Sequence, residues 1–318
     1  MSIDNILVAV SFSERSIDAV RKAACLAADR HAGVTLLHVV EPVKRRSVRL
    51  LPEQQTLLRA RITHARKELA RFAGEIAARD RLPVAIRIEV GEKVASIAHA
   101  CTEADVLFIG GTNMKGFAAA LHRSTAERLI GKCGIPILVV NGPHAGRCAR
   151  ALVPVDGAYE SVPALRAAAW LWPDAKLTLL HALDTRQEQI MRIHDVPLWA
   201  VRRRQASRMA KGLKYLKALA ARAQVSAESV AFRVAFGDAS RAVLSIQAEM
   251  NAQVVVMMKR KSTALADFIL GSTVRRLLPK LSCDVLLTPE HPSSPAATRR
   301  SRVETFGAVS DMSGSRAA

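Results

Sequence analysis

The sequence predicts an α/β protein made of two tandem, Rossmann-like, doubly wound, parallel five-stranded sheets. Three observations lead to this prediction. Short apolar runs alternate with amphipathic helical stretches, several of those runs are apolar throughout, and the whole pattern recurs after roughly 145 residues. Continuous apolar strands indicate a parallel sheet that is covered on both faces. A chain of 318 residues is long enough to fill two such cores.

The first strand of each copy ends in a polar turn. Residues 6–10 (Ile-Leu-Val-Ala-Val) lead into Ser11, and residues 151–155 (Ala-Leu-Val-Pro-Val) lead into Asp156. An alanine-rich helix follows in both copies. Ligands of doubly wound sheets bind at the carboxyl ends of the strands, where the strand order reverses. We therefore expect binding residues in the loops after the first, second and fourth strands.

The second strand of each copy ends in Leu-Leu-His, at His38 and His181. Because the two histidines hold equivalent places, we interpret them as structural residues of the repeat and expect no catalysis from them. A long basic helix follows in each copy, near residues 53–80 and 197–224, and a short third strand comes after it.

A glycine followed by an acidic residue opens the next helix, as Gly91-Glu92 and as Gly237-Asp238. Glycine suits the turn, and an acid stabilises a helix N-terminus. Each copy then has a fourth strand, a helix and a last strand. The fourth strands are residues 106–109 and 254–257, and the last strands are residues 136–140 and 284–288.

The repeat divides the chain into domains of residues 1–146 and 147–290. Residues 291–318 are rich in Ser, Pro, Ala and Arg without an apolar period, which predicts a disordered tail. No apolar run reaches the roughly 20 residues that span a bilayer, and the first residues lack the order of a secretory signal. We expect a cytoplasmic protein with no membrane partner.

Charge and cysteine content narrow the function classes. The net charge of +19 attracts polyanions, so nucleic-acid binding remains an alternative. The basic residues lie on long amphipathic helices, however, and aromatic residues are only 4% of the chain, too few for an evident stacking platform. The five cysteines are widely spaced and form no Cys-x-x-Cys pair, so we expect reduced thiols and no metal site.

With its polar turns and Leu-Leu-His endings, the sequence resembles the universal stress protein family over nearly all of residues 4–289. Two closing segments also carry the resemblance: residues 124–130 (Ser-Thr-Ala-Glu-Arg-Leu-Ile) and residues 271–277 (Gly-Ser-Thr-Val-Arg-Arg-Leu). The resemblance implies an adenine nucleotide alpha hydrolase-like fold and a stress-response role that depends on binding. It also implies ATP or another adenine nucleotide as the ligand of some members, and no required cofactor.

ATP-binding members of that family carry an Asp after the first strand and Gly-x2-Gly-x9-Gly-Ser/Thr after the fourth. Small residues let backbone N–H groups approach the phosphates, and the final hydroxyl lies at a helix N-terminus. The first copy has Ser11 at the Asp position and keeps Gly110 and Ser124, but Asn113 and Arg123 replace the other two glycines. We expect this copy to have lost the nucleotide.

The second copy also keeps only part of the pattern. Met258 and Lys261 replace its first two glycines. In one interpretation the cations 259–261 replace the lost backbone donors and a nucleotide still docks; in the other the loop has lost its function. The positions that match the family are Asp156, Gly271, Ser272 and Thr273.

The other candidate nucleotide contacts are Lys261 and the residue directly after each Leu-Leu-His ending, which is Val39 in the first copy and Ala182 in the second.

The family resemblance also implies a way to join the two copies, because single-domain members look like dimers joined through their last strands. We therefore expect residues 136–140 and 284–288 to pair antiparallel, which makes the chain an intramolecular pseudo-dimer with buried sheet edges.

The leading hypothesis from sequence is a non-catalytic regulator whose second copy senses a nucleotide or another anion. The alternatives are slow ATP hydrolysis in the second copy and nucleic-acid binding through the basic helices. A further homodimer and a regulatory protein partner are left open.

Overall fold

A computed structural model describes residues 2–42, 52–111, 125–142, 147–156, 161–258, 276–278 and 280–289. We call the strands β1–β5 with their helices the first repeat, and β6–β10 with theirs the second repeat. The elements of the first repeat are β1 (Asn5–Ala9), α1 (Glu14–Arg30), β2 (Gly33–Val40), α2 (Pro52–Asp80), β3 (Val84–Val90), α3 (Lys93–Ala100), a 3-10 turn (Cys101–Glu103), β4 (Val106–Gly110), α4 (Thr125–Ile130) and β5 (Ile137–Val140). The elements of the second repeat are β6 (Arg150–Val155), α5 (Val162–Leu171), β7 (Lys176–Leu183), α6 (Arg186–Ile193), α7 (Leu198–Ala223), a 3-10 turn (Ala227–Ser229), β8 (Val230–Phe236), α8 (Ala239–Glu249), β9 (Val254–Met258) and β10 (Asp284–Thr288).

All ten strands belong to one sheet, in the order β3-β2-β1-β4-β5-β10-β9-β6-β7-β8. Within each repeat the neighbouring strands run parallel, and the order reverses beside β1 and beside β6. The predicted fold class, two doubly wound five-stranded parallel sheets, is confirmed. The reversal points place the polar turns after β1 and β6 where such sheets bind ligands.

The last strands of the two repeats pair antiparallel, as the sequence predicted. Leu138 of β5 lies opposite Leu286 of β10, and the flanking pairs are Val139 with Val285 and Ile137 with Leu287. This pairing joins the two sheets and leaves β3 and β8 as the outer strands. Both inner edges are thereby covered within one chain.

The sheet separates two layers of helices, because alternate residues of each strand face opposite sides. In β1, Ile6 and Val8 belong to the core under α1, α2, α5 and α7, whereas Leu7 belongs to the core under α3, α4 and α8. Within the described ranges, no helix is both long enough and apolar enough to span a bilayer. The predicted tail, residues 291–318, lies outside the described residues.

The helices that follow β3 and β8 begin with acidic caps, as predicted. The Glu92 carboxylate accepts the N–H of Ala95 at 2.6 Å, and the Asp238 carboxylate accepts the N–H of Arg241 at 2.9 Å. Gly237 has a φ of 114°, a backbone conformation that glycine adopts readily, which explains why glycine is present at this position. Gly91 also lies in the bend before its helix, but its φ is not positive. A Cβ at Gly91 would instead lie 3.1 Å from Ser96 Oγ.

Two elements differ from the sequence prediction. The second strands extend past the histidines, because β2 stays paired with β3 up to Val40 opposite Val90. Val39 and Ala182 are therefore partly buried strand residues and do not lie in loops. The second repeat also contains α6, a short helix that the sequence did not predict.

Candidate functional site

The candidate site of each repeat lies where its central strand ends. Ser11 follows β1, which lies between β2 and β4, and Asp156 follows β6, which lies between β7 and β9. Both residues are exposed. The structure thus places the two aligned positions at equivalent points of the sheet.

In the first repeat, the Ser11 hydroxyl takes part in a local cap of α1. Its Oγ lies 3.1 Å from Ser13 Oγ, and its N–H donates to Ser16 Oγ at 3.3 Å. Ser13 is the N-cap and accepts the N–H of Ser16, while Ser16 Oγ donates to the Ser13 carbonyl at 2.9 Å. These hydroxyls satisfy each other, and Ser11 itself offers a ligand no carboxylate.

An aromatic cluster covers the carboxyl ends of β1 and β2. Phe12 has a φ of 60°, and its ring lies 4.6 Å from the ring of His38 and 6.4 Å from the ring of Phe72, measured between centroids. His64 of α2 is 6.5 Å away. Phe12 is therefore a packing residue that fills space beside the site.

The two strand-end histidines make the same contact in both repeats. His38 Nδ1 donates to the Val10 carbonyl at 2.8 Å, and His181 Nδ1 donates to the Val155 carbonyl at 3.3 Å. Burial lowers the pKa of His38, and the hydrogen bond to the Val10 carbonyl opposes that shift. These bonds tie each second strand to the first, in agreement with the structural role predicted for them.

Gly110 matches the family's glycine pattern but has a packing reason to be glycine. A Cβ at this position would lie 2.6 Å from Ser16 N and 2.7 Å from the Arg15 carbonyl carbon. The first turn of α1 packs directly on the end of β4. The presence of glycine at position 110 is therefore explained by packing and says little about phosphate binding.

The second repeat presents an acidic side chain at the equivalent point. The Tyr215 hydroxyl donates to the Asp156 carbonyl oxygen at 3.2 Å, and the Tyr215 ring lies 5.5 Å from that of His181. Asp156 has an exposed side chain. The turn is therefore held through its main chain by α7, at the mouth of the strand ends.

Met258 ends β9 at the place that Gly110 holds in β4. It is partly buried and packs against the core under α5 and α7. Met258 is the residue that replaces the first glycine of the family pattern in this repeat.

A carboxylate that the sequence did not single out braces the loop after β7. Glu188 of α6 is 2% exposed, and its Oε1 accepts from Arg208 at 2.6 Å and lies 3.5 Å from Arg204. The hydrogen bond from Arg208 lowers the pKa of Glu188. Arg208 also donates to the Asp184 carbonyl at 2.7 Å, so one arginine fixes both α6 and the end of β7.

The remaining candidates lie outside the described residues. In the part of the chain that the structure does describe, no group of three or more His, Cys, Asp or Glu side chains could hold a metal ion. The five cysteines are free thiols. The candidates outside the described residues are Asn113, Ser124, Lys261, Gly271, Ser272 and Thr273.

Comparison with known proteins gives a family and a fold. The model of the universal stress protein family matches residues 2–141 and again residues 149–289. A universal stress protein from Archaeoglobus fulgidus is similar, with a TM-score of 0.66 and 15% identity over 91% of this chain and 97% of its own. A functionally unknown protein from Pseudomonas aeruginosa has a TM-score of 0.55 and 17% identity, over 95% of this chain and 98% of its own. A search of curated proteins gave no match. At these identities the likeness establishes the fold alone.

Proposed function

The chain belongs to the universal stress protein family through two consecutive copies of its domain, and from that premise we propose that it is a non-catalytic regulatory binding protein. In this proposal residues 1–146 and 147–290 are its two domains. The first carries a degenerate site that binds no nucleotide, and the second binds ATP, another adenine nucleotide or a related anion. The protein acts in the cytoplasm and passes the bound state to a regulatory protein partner.

The observation that carries the proposal is the difference between the two turns. The first repeat has Ser11 followed by Phe12, and the second has Asp156 followed by Gly157. Ser11 is occupied by its neighbouring hydroxyls, and Phe12 packs over His38. A carboxylate can accept hydrogen bonds from a ribose hydroxyl or an adenine amino group, which a capped serine beside a phenylalanine does less well.

Charge supports an anionic ligand in the second repeat. The sequence places three cations at 259–261, directly after β9. Cationic side chains bind phosphate through charge-assisted hydrogen bonds, although they lack the close fit of backbone N–H groups. We therefore expect weak binding that falls with salt.

Binding assays on matched variants test the proposal. Isothermal titration of the full chain with ATP compares wild type with Asp156→Ala and Ser11→Ala. Loss of one charged acceptor costs about 2 kcal/mol, so Asp156→Ala weakens binding at least about tenfold. The equivalent change in the first repeat, Ser11→Ala, leaves the affinity unchanged. Equal losses in both variants, or no loss in Asp156→Ala, would show that the second turn is not the site.

Slow ATP hydrolysis is the enzymatic alternative. Turnover of radiolabelled ATP by wild type and by Asp156→Ala distinguishes the two. Equal background rates support a binding protein, whereas a rate that depends on Asp156 makes the second repeat an enzyme.

Nucleic-acid binding is favoured by the net charge of +19, but part of that charge is already paired on the basic helices. Arg71 contacts Glu68 and Glu75 on α2, and Arg208 contacts Glu188. Binding to nucleic acid would show a steep loss of affinity with added salt. Absent binding at low salt removes this alternative.

A further inference from the structure

The turn between α6 and α7 exposes a cluster of large apolar side chains. We call Ile190, Ile193, Leu198 and Trp199 the apolar tip. Their exposed fractions are 54%, 75%, 63% and 67%. The three residues nearest the turn, Ile193, Leu198 and Trp199, are the most exposed. Soluble proteins rarely place so many large apolar groups together in water, so the tip indicates a contact surface.

The apolar tip is held in shape by backbone hydrogen bonds. The N–H of His194 donates to the Ile190 carbonyl at 3.1 Å, and the N–H of Val196 donates to the Met191 carbonyl at 2.9 Å. Asp195 has a φ of 52°, which ends α6 in a left-handed cap. The buried contact of Glu188 with Arg208 then fastens α6 to α7. The tip is thus a formed surface before any partner arrives.

Arginines surround the apolar tip. Arg202 and Arg203 lie three and four residues after Trp199 in α7, a spacing that puts them on the same helix face. Arg192 stands beside Ile193 in α6, and all three arginines are exposed. The turn between α6 and α7 contains one acidic residue, Asp195, beside these three arginines. A tryptophan and aliphatic groups with arginines around them match the chemistry of an anionic bilayer surface.

We propose that the apolar tip and Arg192, Arg202 and Arg203 dock the protein on the surface of an anionic lipid membrane. The apolar side chains enter the headgroup region, and the arginines contact lipid phosphates. The net charge of +19 adds long-range attraction to a negative leaflet. The residues of this surface are not among the candidate nucleotide contacts, and the proposal replaces the expectation of no membrane partner.

Two other partners of the apolar tip, a second copy of the chain and a single-stranded nucleic acid, fit these observations less well. A dimer formed through this face would bring two sets of exposed arginines into one interface, where like charges repel each other. A single-stranded nucleic acid uses aromatic stacking platforms, whereas three of the four tip residues are aliphatic.

Vesicle flotation with the full chain tests the proposal. We expect binding to vesicles of phosphatidylcholine with about 30% phosphatidylserine and none to phosphatidylcholine alone, with a loss as salt rises. Leu198→Ser/Trp199→Ala lowers the partition coefficient at least about tenfold. Arg202→Glu/Arg203→Glu lowers it as much. Phospholipids brominated in the acyl chain quench the fluorescence of Trp199, and Trp199→Phe removes that quenching.

Matched controls separate the tip from general effects. Leu57→Ser changes an apolar side chain that is also exposed, on α2. Lys211→Glu/Lys214→Glu makes the same charge change farther along α7. Leu57→Ser should keep the wild-type partition within about twofold. Lys211→Glu/Lys214→Glu should lower the partition clearly less than Arg202→Glu/Arg203→Glu, because these lysines lie away from the tip and contribute only to the long-range attraction. Controls that lose as much as the tip variants, or no binding to anionic vesicles, overturn the proposal. Analytical ultracentrifugation tests the dimer. If the wild type is a dimer that binds no vesicles, and Leu198→Ser/Trp199→Ala is a monomer, the tip contacts a second copy of the chain and the membrane proposal is wrong.

Discussion

Lys22 of α1 and Asp284 of β10 form a buried ion pair between the two repeats, with side chains 10% and 6% exposed. Asp284 Oδ1 also accepts the N–H of Asn141, the residue after β5, at 3.0 Å. Burial raises the pKa of Asp284, and Lys22 opposes that rise. One carboxylate therefore binds a helix and a strand end of the other repeat beside the central β5–β10 pair.

Removal of the Lys22 cation should destabilise the joined sheet. Lys22→Met leaves the Asp284 carboxyl buried without its counter-ion, at a cost of about 3 kcal/mol in the free energy of unfolding. Urea denaturation followed by circular dichroism measures this cost. Asp284→Asn in the Lys22→Met background recovers part of it, because no buried charge remains.

Lys132→Met serves as the control, because Lys132 is exposed in the turn after α4. It should change the stability by less than about 0.5 kcal/mol. A Lys22→Met protein as stable as wild type would show that the ion pair does not hold the repeats together.

Separation of the repeats should expose the edge of β5. Residues 1–146 expressed alone lose the pairing of Leu138 with Leu286 and present an unpaired strand of four buried apolar residues. Such an edge recruits another chain. Light scattering after gel filtration should show a dimer or an aggregate, and a well-behaved monomer would speak against the pseudo-dimer.

Gly110→Ala should destabilise the first repeat. The new Cβ would lie 2.6 Å from Ser16 N, which is main chain and cannot move aside without shifting α1. We expect a loss of about 1 to 3 kcal/mol in thermal or urea unfolding. The matched change Gly74→Ala meets no atom within 4 Å in the exposed part of α2, and it should add up to about 1 kcal/mol. A tolerated alanine at 110 would contradict the packing explanation for this glycine.

Stability toward acid should depend on Glu188. Its pKa is lower in the folded protein than in the unfolded chain, so its ionisation stabilises the fold above the unfolded value of about 4.3 and ceases to do so as pH falls through the folded value. Glu188→Gln should cost about 2 kcal/mol at neutral pH and lose less stability than wild type between about pH 5 and pH 3. Unfolding curves across that range measure the difference. Parallel pH profiles would mean that the carboxylate is not coupled to Arg208.

The sequence predicted the fold well, because the apolar pattern of strands and helices occurs in two copies. The antiparallel pairing of the last strands, with Leu138 opposite Leu286, was expected from the family resemblance and not from the pattern of the residues. The ends of the second strands were wrong by two residues. The length of β2 and β7 is set by their pairing with β3 and β8. The residues near Val39 and Ala182 do not by themselves indicate how far that pairing extends.

The sequence placed Ser11 and Asp156 at equivalent strand ends, where the structure has them, and their part in ligand binding stays a prediction. The sequence could not show that Phe12 packs on His38 or that α1 packs against Gly110. Those are contacts between residues far apart in the chain. The sequence analysis also missed α6, a helix of eight residues. The residue that could have indicated it is Glu188, an acid in the first turn of that helix. The partners of that acid lie 16 and 20 residues farther on, at Arg204 and Arg208.

We propose that only the second repeat binds nucleotide, and native mass spectrometry of the full chain titrated with ATP counts the bound nucleotides directly. We expect a single ATP per chain at saturation, lost in Asp156→Ala and retained in Ser11→Ala. Two nucleotides per chain, none at all, or one that survives Asp156→Ala would contradict it.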